Sequence, residues 1–160
     1  MNTILDAGVR TAERMLLITR VFESSPARMF EVWTRPEHLV RWWKPRTGLA
    51  KGAIHCCDMD VRPGGEYRIG LRSDDGAEAW ARGAFREVVE PERLVFTFAL
   101  ECDDGRPGHQ TVVTVTFVEH GGKTKLTFRQ FMFASVTDRD DQLGGLTECL
   151  DRLANYIAPQ

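Results

Sequence analysis

The chain has 160 residues, a length that suits one globular domain, with 42% hydrophobic and 28% charged residues. A net charge of −2 gives no electrostatic basis for binding nucleic acid or an anionic membrane surface. No apolar run approaches the roughly 18 residues of a membrane span, so we expect a protein that is not membrane-embedded.

The N-terminal sequence MNTILDAGVRTAERM lacks a basic region followed by an apolar core, which predicts no secretory signal and a cytoplasmic location. The four cysteines form no C-x-x-C pair and no zinc-type spacing with histidine. We therefore expect reduced thiols, no metal and no cofactor.

The first quarter of the chain predicts an arm, a strand and a helix. Residues 1–12 are interpreted as an N-terminal arm, and 13–160 as a single domain. Residues 14–23 are apolar and β-branched enough for a strand. Ser25 is a good N-cap and Pro26 a good first helical residue, so a short helix follows.

A second short helix is predicted over 36–43. Pro36 opens it, and Pro45 ends it because the residue before a proline avoids the helical region.

The middle of the chain changes to a period of two, which is typical of strands. Glycine- and proline-rich turns separate the segments, so neighbouring strands are expected to be antiparallel. Together with the first strand this gives about seven strands, the later ones being 53–61, 66–72, 78–89, 93–100, 110–118 and 124–133.

The last segment predicts a helix of about 20 residues. An apolar stripe recurs at helical spacing from Leu143 to Ile157. Thr137 and Asp140 resemble a capping box at its start. Gly144 and the glycine after it weaken the first turns and permit close approach to the sheet.

These elements predict an α+β fold in which a curved antiparallel sheet wraps on the long C-terminal helix. That helix is the only adequate cover for the apolar face of the sheet. A sheet that grips one helix leaves a space between them unless large side chains fill it.

Four segments carry a resemblance to a known family: ITRVFESSPARMFEVWTRPEHLVRWWKP, DMDVRPGGEYR, GAFREVVEPERLVFTF and LTECLDRLANYI. Their order resembles the START-related helix-grip superfamily, also called SRPBCC or birch-pollen-allergen-like. The most similar branch is named after the activator of the ninety-kilodalton heat-shock chaperone ATPase. The resemblance covers residues 14 to about 158, and PEHLVRWW and RPGGEYR are its most specific parts.

The resemblance implies a deep cavity between sheet and helix, usually for an apolar small molecule. Members bind lipids, sterols or polyketides, and a few are cyclases or hydrolases. Co-chaperones of the branch contact the chaperone through a further domain with an Asn/Trp-rich motif, which this sequence does not show. Relatives often begin the last helix with a Gly-Trp pair, where this chain has Gly145 and Leu146.

Trp42 and Trp43 are adjacent, and neighbours on a helix point about 100° apart. One of them can share the face of Leu39 and pack on the sheet. The other is expected at the entrance of the cavity as part of a lid. The alternative is that both simply fill the gap between helix and sheet.

Strand 78–89 alternates small and large residues. Ala79, Ala81, Gly83 and Phe85 share one face, and Trp80 lies on the other. If the small face turns inward, it leaves volume that nothing nearby fills. The alternative is that the helix packs closer there, at its two glycines.

Tyr67 and Gln130 each bring a polar group to an apolar face, where it must be paired or must bind a ligand. The candidate cavity residues are Trp42, Trp43, Met59, Tyr67, Ile69, Trp80, Phe85, Phe96, Phe98, Phe117, Phe128, Gln130, Met132, Leu146, Cys149 and Leu150.

Catalytic signals are thin: the four histidines are scattered, and Asp58, Asp60 and Arg62 are best interpreted as an exposed charge ladder. Three functions stay open: binding of an apolar or amphipathic small molecule, a protein-interaction or co-chaperone-like module, and a cyclase-like or hydrolytic enzyme using Tyr67, His55 or Gln130. A homodimer is also an open expectation.

Overall fold

The computed structural model describes residues 8–47 and 51–158. Within these residues it contains one eight-stranded sheet and three helices, which confirms the predicted α+β helix-grip class. The strands are β1 (Gly8–Ala12), β2 (Met15–Phe22), β3 (Ala53–Met59), β4 (Glu66–Arg72), β5 (Glu78–Val89), β6 (Arg93–Leu100), β7 (Thr111–His120) and β8 (Lys123–Phe131). The helices are α1 (Pro26–Thr34), α2 (Pro36–Trp42) and α3 (Val136–Ile157).

The sheet is antiparallel throughout, with the strand order β1-β2-β8-β7-β6-β5-β4-β3. Strands β3 to β8 form a meander, in which each strand pairs with the next one in sequence. β2 pairs with the last strand, β8, at the opposite side of the sheet from β3. The segment that contains α1 and α2 therefore carries the chain from one side of the sheet to the other.

The eighth strand, β1, lies in the predicted N-terminal arm and raises the strand number from the expected seven to eight. It pairs with β2 along its whole length, from Gly8 opposite Thr19 to Ala12 opposite Met15. All five of its side chains are exposed. Because no side chain of β1 enters the core, the strand has no hydrophobic period that the sequence could reveal.

The first two helices begin as their caps predict. The Ser25 hydroxyl accepts a hydrogen bond from the backbone N–H of Arg28 at 3.2 Å, and Pro26 is the first helical residue. Pro36 opens α2, which ends at Trp42.

The predicted cap of the last helix was wrong. Ser135, rather than Thr137, is the N-cap of α3, because its backbone is extended and its hydroxyl accepts from the N–H of Asp138 at 3.0 Å. Thr137 already lies inside the first turn.

The long helix α3 covers the sheet with the predicted apolar stripe. Leu146, Leu150, Leu153 and Ile157 are buried, and Leu143 is partly buried. Each fully buried leucine contributes roughly 1.5–3 kcal/mol relative to an exposed one. The stripe therefore fixes both the position of α3 and the face of the sheet that becomes the core.

Strands β4 and β5 place large side chains opposite small ones. Tyr67 faces Gly83 across the strands, and Ile69 faces Ala81. A Cβ atom at Gly83 would lie 1.9 Å from the carbonyl oxygen of Thr97, so the close approach of β5 and β6 requires glycine. The pairing therefore fits together while leaving little side-chain volume on the covered face of β5.

We predict that Gly83→Ala lowers the free energy of unfolding by more than about 2 kcal/mol, because the strands must separate to admit the methyl group. The matched control is Gly144→Ala in α3, where the nearest atom is the Thr47 Oγ1 at 3.7 Å. That change should stabilise the protein by up to about 1 kcal/mol through helix propensity. Urea unfolding of both variants checks the pair, and an unchanged midpoint for Gly83→Ala would contradict the packing argument.

Candidate functional site

An apolar pocket lies on the covered face of the sheet, beneath α1 and α2 and beside the first turns of α3; we call it the inner pocket. Its volume is about 80 Å³. The lining residues are Trp33, Leu39, Trp43, Met59, Tyr67, Ile69, Leu71, Ala81, Phe85, Leu94, Phe96, Phe98, Val113, Phe128 and Gln142.

The register of the sheet explains why space remains here. On β5, Ala81 and Phe85 line the inner pocket. Alternation and the pairing with Tyr67 place Gly83 between them on the same face, although Gly83 does not line the pocket. The aromatic rings of Tyr67, Phe85 and Phe96 form a mutual cluster with centroid distances of 5.6–5.8 Å. The rings contact one another along the wall, and the small residues beside them do not fill the middle.

The two adjacent tryptophans have different environments. Trp42 is completely buried, and its indole N–H donates to the carbonyl oxygen of Val32 at 3.0 Å. Its ring packs against that of Trp33, with centroids 4.9 Å apart. Trp43 is partly exposed and lines the inner pocket. Trp42 therefore fills the gap between helix and core, whereas Trp43 forms part of the pocket wall.

Half of the sixteen candidate cavity residues line the inner pocket. Those that do are Trp43, Met59, Tyr67, Ile69, Phe85, Phe96, Phe98 and Phe128. Five others are buried in the surrounding core without lining the pocket, because α3 contacts the sheet directly along its apolar stripe. These five are Trp42, Phe117, Leu146, Cys149 and Leu150.

The assignment of Trp80 and Met132 to the cavity wall is corrected, because neither side chain lies on the covered face. Trp80 alternates with Ala81, so it stands on the opposite face of β5, where the Arg68 guanidinium lies 3.9 Å from its ring centroid. The His55 ring is 5.4 Å away. Met132 follows the end of β8, has a positive φ of 74° and is 53% exposed. The alternation that placed it inside does not extend past Phe131.

Gln130 is fully buried one layer behind the pocket and belongs to a chain of hydrogen bonds. The Thr111 hydroxyl donates to the carbonyl oxygen of Phe98 at 3.1 Å, and Gln130 Nε2 donates to Thr111 Oγ1 at 2.8 Å. Gln142 Nε2 then donates to Gln130 Oε1 at 3.1 Å. The chain, which we call the polar relay, runs from the backbone of β6 to the wall of the inner pocket at Gln142.

Two other pocket residues carry polar groups. The Tyr67 hydroxyl donates to the carbonyl oxygen of Thr97 at 2.6 Å, and burial raises the pKa of this phenol far above its usual value. The indole N–H of Trp33 is buried and has no hydrogen-bond partner among the described residues. Tyr67 is thus occupied, whereas Trp33 keeps an unused donor.

The sequence-based analysis missed Trp33, Leu39 and Gln142 as candidates for the cavity wall. Gln142 lies four residues before Leu146, so it falls on the apolar stripe of α3, and a polar residue on such a stripe was the available signal. The signal for Trp33 was its helical spacing from Phe30.

The segment after α2 is fastened to α3 beside the pocket. Glu148 accepts from the Thr47 hydroxyl at 2.7 Å and from the Arg46 backbone N–H at 3.1 Å. Arg152 donates to the carbonyl oxygen of Lys44. The segment containing Trp43 is therefore held against α3 by polar contacts at the surface.

A second link joins α2 to the end of α3. His38 Nδ1 lies 2.7 Å from the Tyr156 hydroxyl, and His38 Nε2 lies 3.3 Å from the carboxylate of Glu31. His38 therefore joins α1 through Glu31 to the last turn of α3 through Tyr156.

The opposite face of the sheet carries a larger, polar groove of about 390 Å³, lined partly by Asp58, Arg68 and Arg82. Its two arginines are paired with Glu101, Arg68 through two contacts of 2.7 and 2.9 Å and Arg82 at 3.9 Å. The hydrogen bond from Arg68 lowers the pKa of Glu101. The apolar inner pocket, which has unused hydrogen-bonding groups, is the better candidate site despite its smaller volume.

Other chemistry-bearing groups do not assemble into a site. Burial raises the pKa of Cys149 to about 12, and burial with the nearby Cys56 and Asp58 raises that of Cys57 to about 11. Within residues 8–47 and 51–158, no cluster of His, Cys, Asp or Glu could hold a metal ion. None of the described helices is long and apolar enough to cross a membrane.

The antiparallel sheet, the long C-terminal helix and the pocket between them define a helix-grip protein. A family model described as "Activator of Hsp90 ATPase homolog 1-like protein" matches residues 23–158, and the chain belongs to this family. A comparison with curated proteins finds no match.

Solved bacterial structures share the fold. A protein from Mycobacterium smegmatis is 22% identical, with a TM-score of 0.73 and coverage of 96% of this chain and 99% of its own. A protein from Arthrobacter aurescens is 20% identical, with a TM-score of 0.79 and coverages of 94% and 91%. A protein of the same family from Silicibacter pomeroyi is 21% identical, with a TM-score of 0.79 and coverages of 89% and 96%. At these identities the similarity establishes the fold alone.

The two tryptophans should differ in their contribution to stability. We predict that Trp42→Phe lowers the free energy of unfolding by about 2–4 kcal/mol, because it leaves a void and removes the donor to Val32. Trp43→Phe should cost less than about 1.5 kcal/mol, since one side of that ring faces the pocket. Denaturant unfolding of the pair measures the difference, and equal losses would show that the two rings have similar environments.

The Glu148 contacts should depend on pH. Partial burial raises the pKa of Glu148, but the hydrogen bonds from Thr47 and the backbone outweigh it and hold the pKa below 4.5. Because the folded-state pKa is depressed, the stabilisation is present above the unfolded value and is lost as the pH falls through the folded value.

We therefore predict that the stability difference between the native protein and Glu148→Gln is largest near neutral pH and shrinks below about pH 4.5. Denaturant unfolding between about pH 3 and about pH 7 measures it, with the exposed Glu37→Gln as a control. A difference that stays constant across this range would contradict the assignment.

Proposed function

We propose that this protein binds a small apolar or amphipathic molecule in the inner pocket. The observation that carries the proposal is the composition of the wall, where eleven of the fifteen lining residues carry no side-chain nitrogen or oxygen atom. Apolar walls with a few polar groups are typical of small-molecule sites. The family's fold, in which ligands commonly occupy the space between sheet and helix, supports the same function.

The size of the inner pocket favours a small ligand. Sites for drug-sized molecules measure roughly 300–1,000 Å³, several times the volume found here. The pocket in this conformation suits a molecule of about one ring. A larger ligand requires Trp43 and the segment after it to move away from α3.

Affinity for such a small ligand would come mainly from burial of its apolar surface. At roughly 25 cal/mol per Å², a molecule that buries about 160 Å² gains about 4 kcal/mol, which corresponds to a dissociation constant near 1 mM. We therefore expect weak binding of single-ring probes and tighter binding only of molecules with further contacts.

The two other functions have less support. The three residues named for an enzyme do not meet, since His55 packs beside Trp80 on the opposite face, Gln130 lies behind the pocket wall, and the Tyr67 hydroxyl is occupied by Thr97. The co-chaperone-like function rests on the family's name, and no surface feature of the described residues favours it.

The test compares two alanines of β5 that differ in the face they occupy. Ala81→Leu extends a side chain into the inner pocket, whereas Ala84→Leu adds the same atoms beside the outer groove. We expect toluene to bind the native protein and Ala84→Leu, and to lose at least about tenfold in affinity for Ala81→Leu, because the added side chain fills the space.

Toluene binding is measured by NMR titration of backbone amide shifts, and solvent extraction with mass spectrometry of freshly purified protein looks for the natural ligand. Absence of toluene binding to the native protein would refute the proposal. Equal binding by both variants would show that the ligand sits elsewhere.

A further inference from the structure

The hydrogen-bonding groups of the inner pocket limit what a ligand can be. Among its lining residues Trp33, Trp43, Tyr67 and Gln142 carry polar side-chain atoms, and none of the four is charged at neutral pH. The Tyr67 hydroxyl already donates to Thr97. What is available to a ligand is therefore the amide of Gln142, the indole N–H of the buried Trp33 and the indole N–H of the partly exposed Trp43.

The polar relay determines which end of the Gln142 amide remains available. The carbonyl oxygen of Phe98 can only accept, so the Thr111 hydroxyl must donate to it and accept from Gln130 Nε2. The Oε1 atom of Gln130 therefore faces Gln142, and Gln142 must donate to it through Nε2. Every link is fixed by the previous one, and Gln142 Oε1 is left as an acceptor without a hydrogen bond to the described residues.

Both unused groups belong to buried residues, and the Nε1 atom of Trp33 is itself buried without a partner among the described residues. Gln142 is 4% exposed and Trp33 is 6% exposed. A buried polar atom without a partner costs about 1–3 kcal/mol, so a ligand that satisfies it gains that amount over an apolar molecule of the same shape. A charged ligand meets no opposite charge in this wall and would lose its hydration without compensation.

We propose that the ligand of the inner pocket is an uncharged molecule with an apolar body and a hydroxyl group, and that the hydroxyl donates to Gln142 Oε1. A hydroxyl group both donates and accepts, so it complements the acceptor on Gln142 and the unused donor on Trp33. This inference rests on the proposed binding function and adds the chemical class of the ligand.

The experiment compares phenol with toluene, which have the same shape and differ in a hydroxyl against a methyl group. Dissociation constants for both are measured by NMR titration on the native protein, on Gln142→Leu and on Asp141→Asn, an exposed neighbour on α3. We expect the preference for phenol over toluene to fall about tenfold in Gln142→Leu and to stay unchanged in Asp141→Asn. Toluene binding also shows that each variant retains a folded pocket.

A second variant covers the case in which Gln142→Leu no longer binds toluene. Thr111→Val removes the hydroxyl that orients the relay without altering a pocket-lining residue, and it should also reduce the preference for phenol. Benzoate, which is the charged analogue, should bind at least about tenfold more weakly than phenol.

The outcomes separate the two proposals. If toluene binds and the preference for phenol is the same in the native protein, Gln142→Leu and Thr111→Val, the ligand class is overturned while the binding function stands. If benzoate binds as tightly as phenol, the uncharged character is wrong. If neither toluene nor phenol binds the native protein, the binding function fails and this inference fails with it.

Discussion

The structure depends on a mismatch in width between one sheet and the helix that covers it. Eight strands span seven spacings of about 4.8 Å, or about 34 Å, whereas a helix with its side chains is about 10–12 Å wide. α3 alone cannot cover this surface. The remaining apolar face needs α1 and α2, and the inner pocket lies where α1, α2 and the first turns of α3 come together. The space is thus a consequence of covering a wide sheet with a few narrow elements.

The composition of β5 decides how much of that space persists. A larger residue at Ala81, which lines the pocket, would fill part of it, whereas at Gly83 a methyl group would collide with the Thr97 carbonyl. The same glycine lets Tyr67 reach that carbonyl with its hydroxyl. Gly83 therefore allows the close contact between the strands, while Ala81, two residues earlier, leaves the open volume of the pocket.

Sequence periodicity predicted the elements that bury a regular set of side chains. The strands of the meander and the stripe of α3 were found because their alternation or helical spacing is enforced by burial. β1 was not predicted as a strand, because all its side chains are exposed and its stability comes from backbone pairing with β2. Ser135 was not predicted as the N-cap, because capping depends on the extended backbone of the residue before the helix. Thr137 and Asp140 have the sequence spacing of a capping box but lie inside the helix.

The candidate site was predictable only in part, for a different reason. The alternation of β5 places Ala81 and Trp80 on opposite faces of the sheet. Trp80 was nevertheless assigned to the cavity because it is a large aromatic residue, and it lies on the other face with Arg68. Leu146, Cys149 and Leu150 were assigned by their helix, but a stripe that packs tightly against the sheet leaves no space along most of its length. Which stretch of a long helix faces a void depends on distances between elements, and these are absent from a periodic pattern.

The adjacent tryptophans show how a rigid core and an adjustable pocket wall are combined. Trp42 is anchored by full burial and by its hydrogen bond to Val32, which fixes the backbone at the end of α2. Trp43, one residue later, is partly exposed: its ring packs edge-on against that of Trp42 with centroids 5.8 Å apart, and the segment after it is joined to α3 by surface contacts with Glu148 and Arg152. Surface contacts of this kind are weaker than buried packing. Displacing Trp43 would therefore break its edge contact with the Trp42 ring and the surface contacts of the next segment, while Trp42 keeps its burial and its hydrogen bond to Val32.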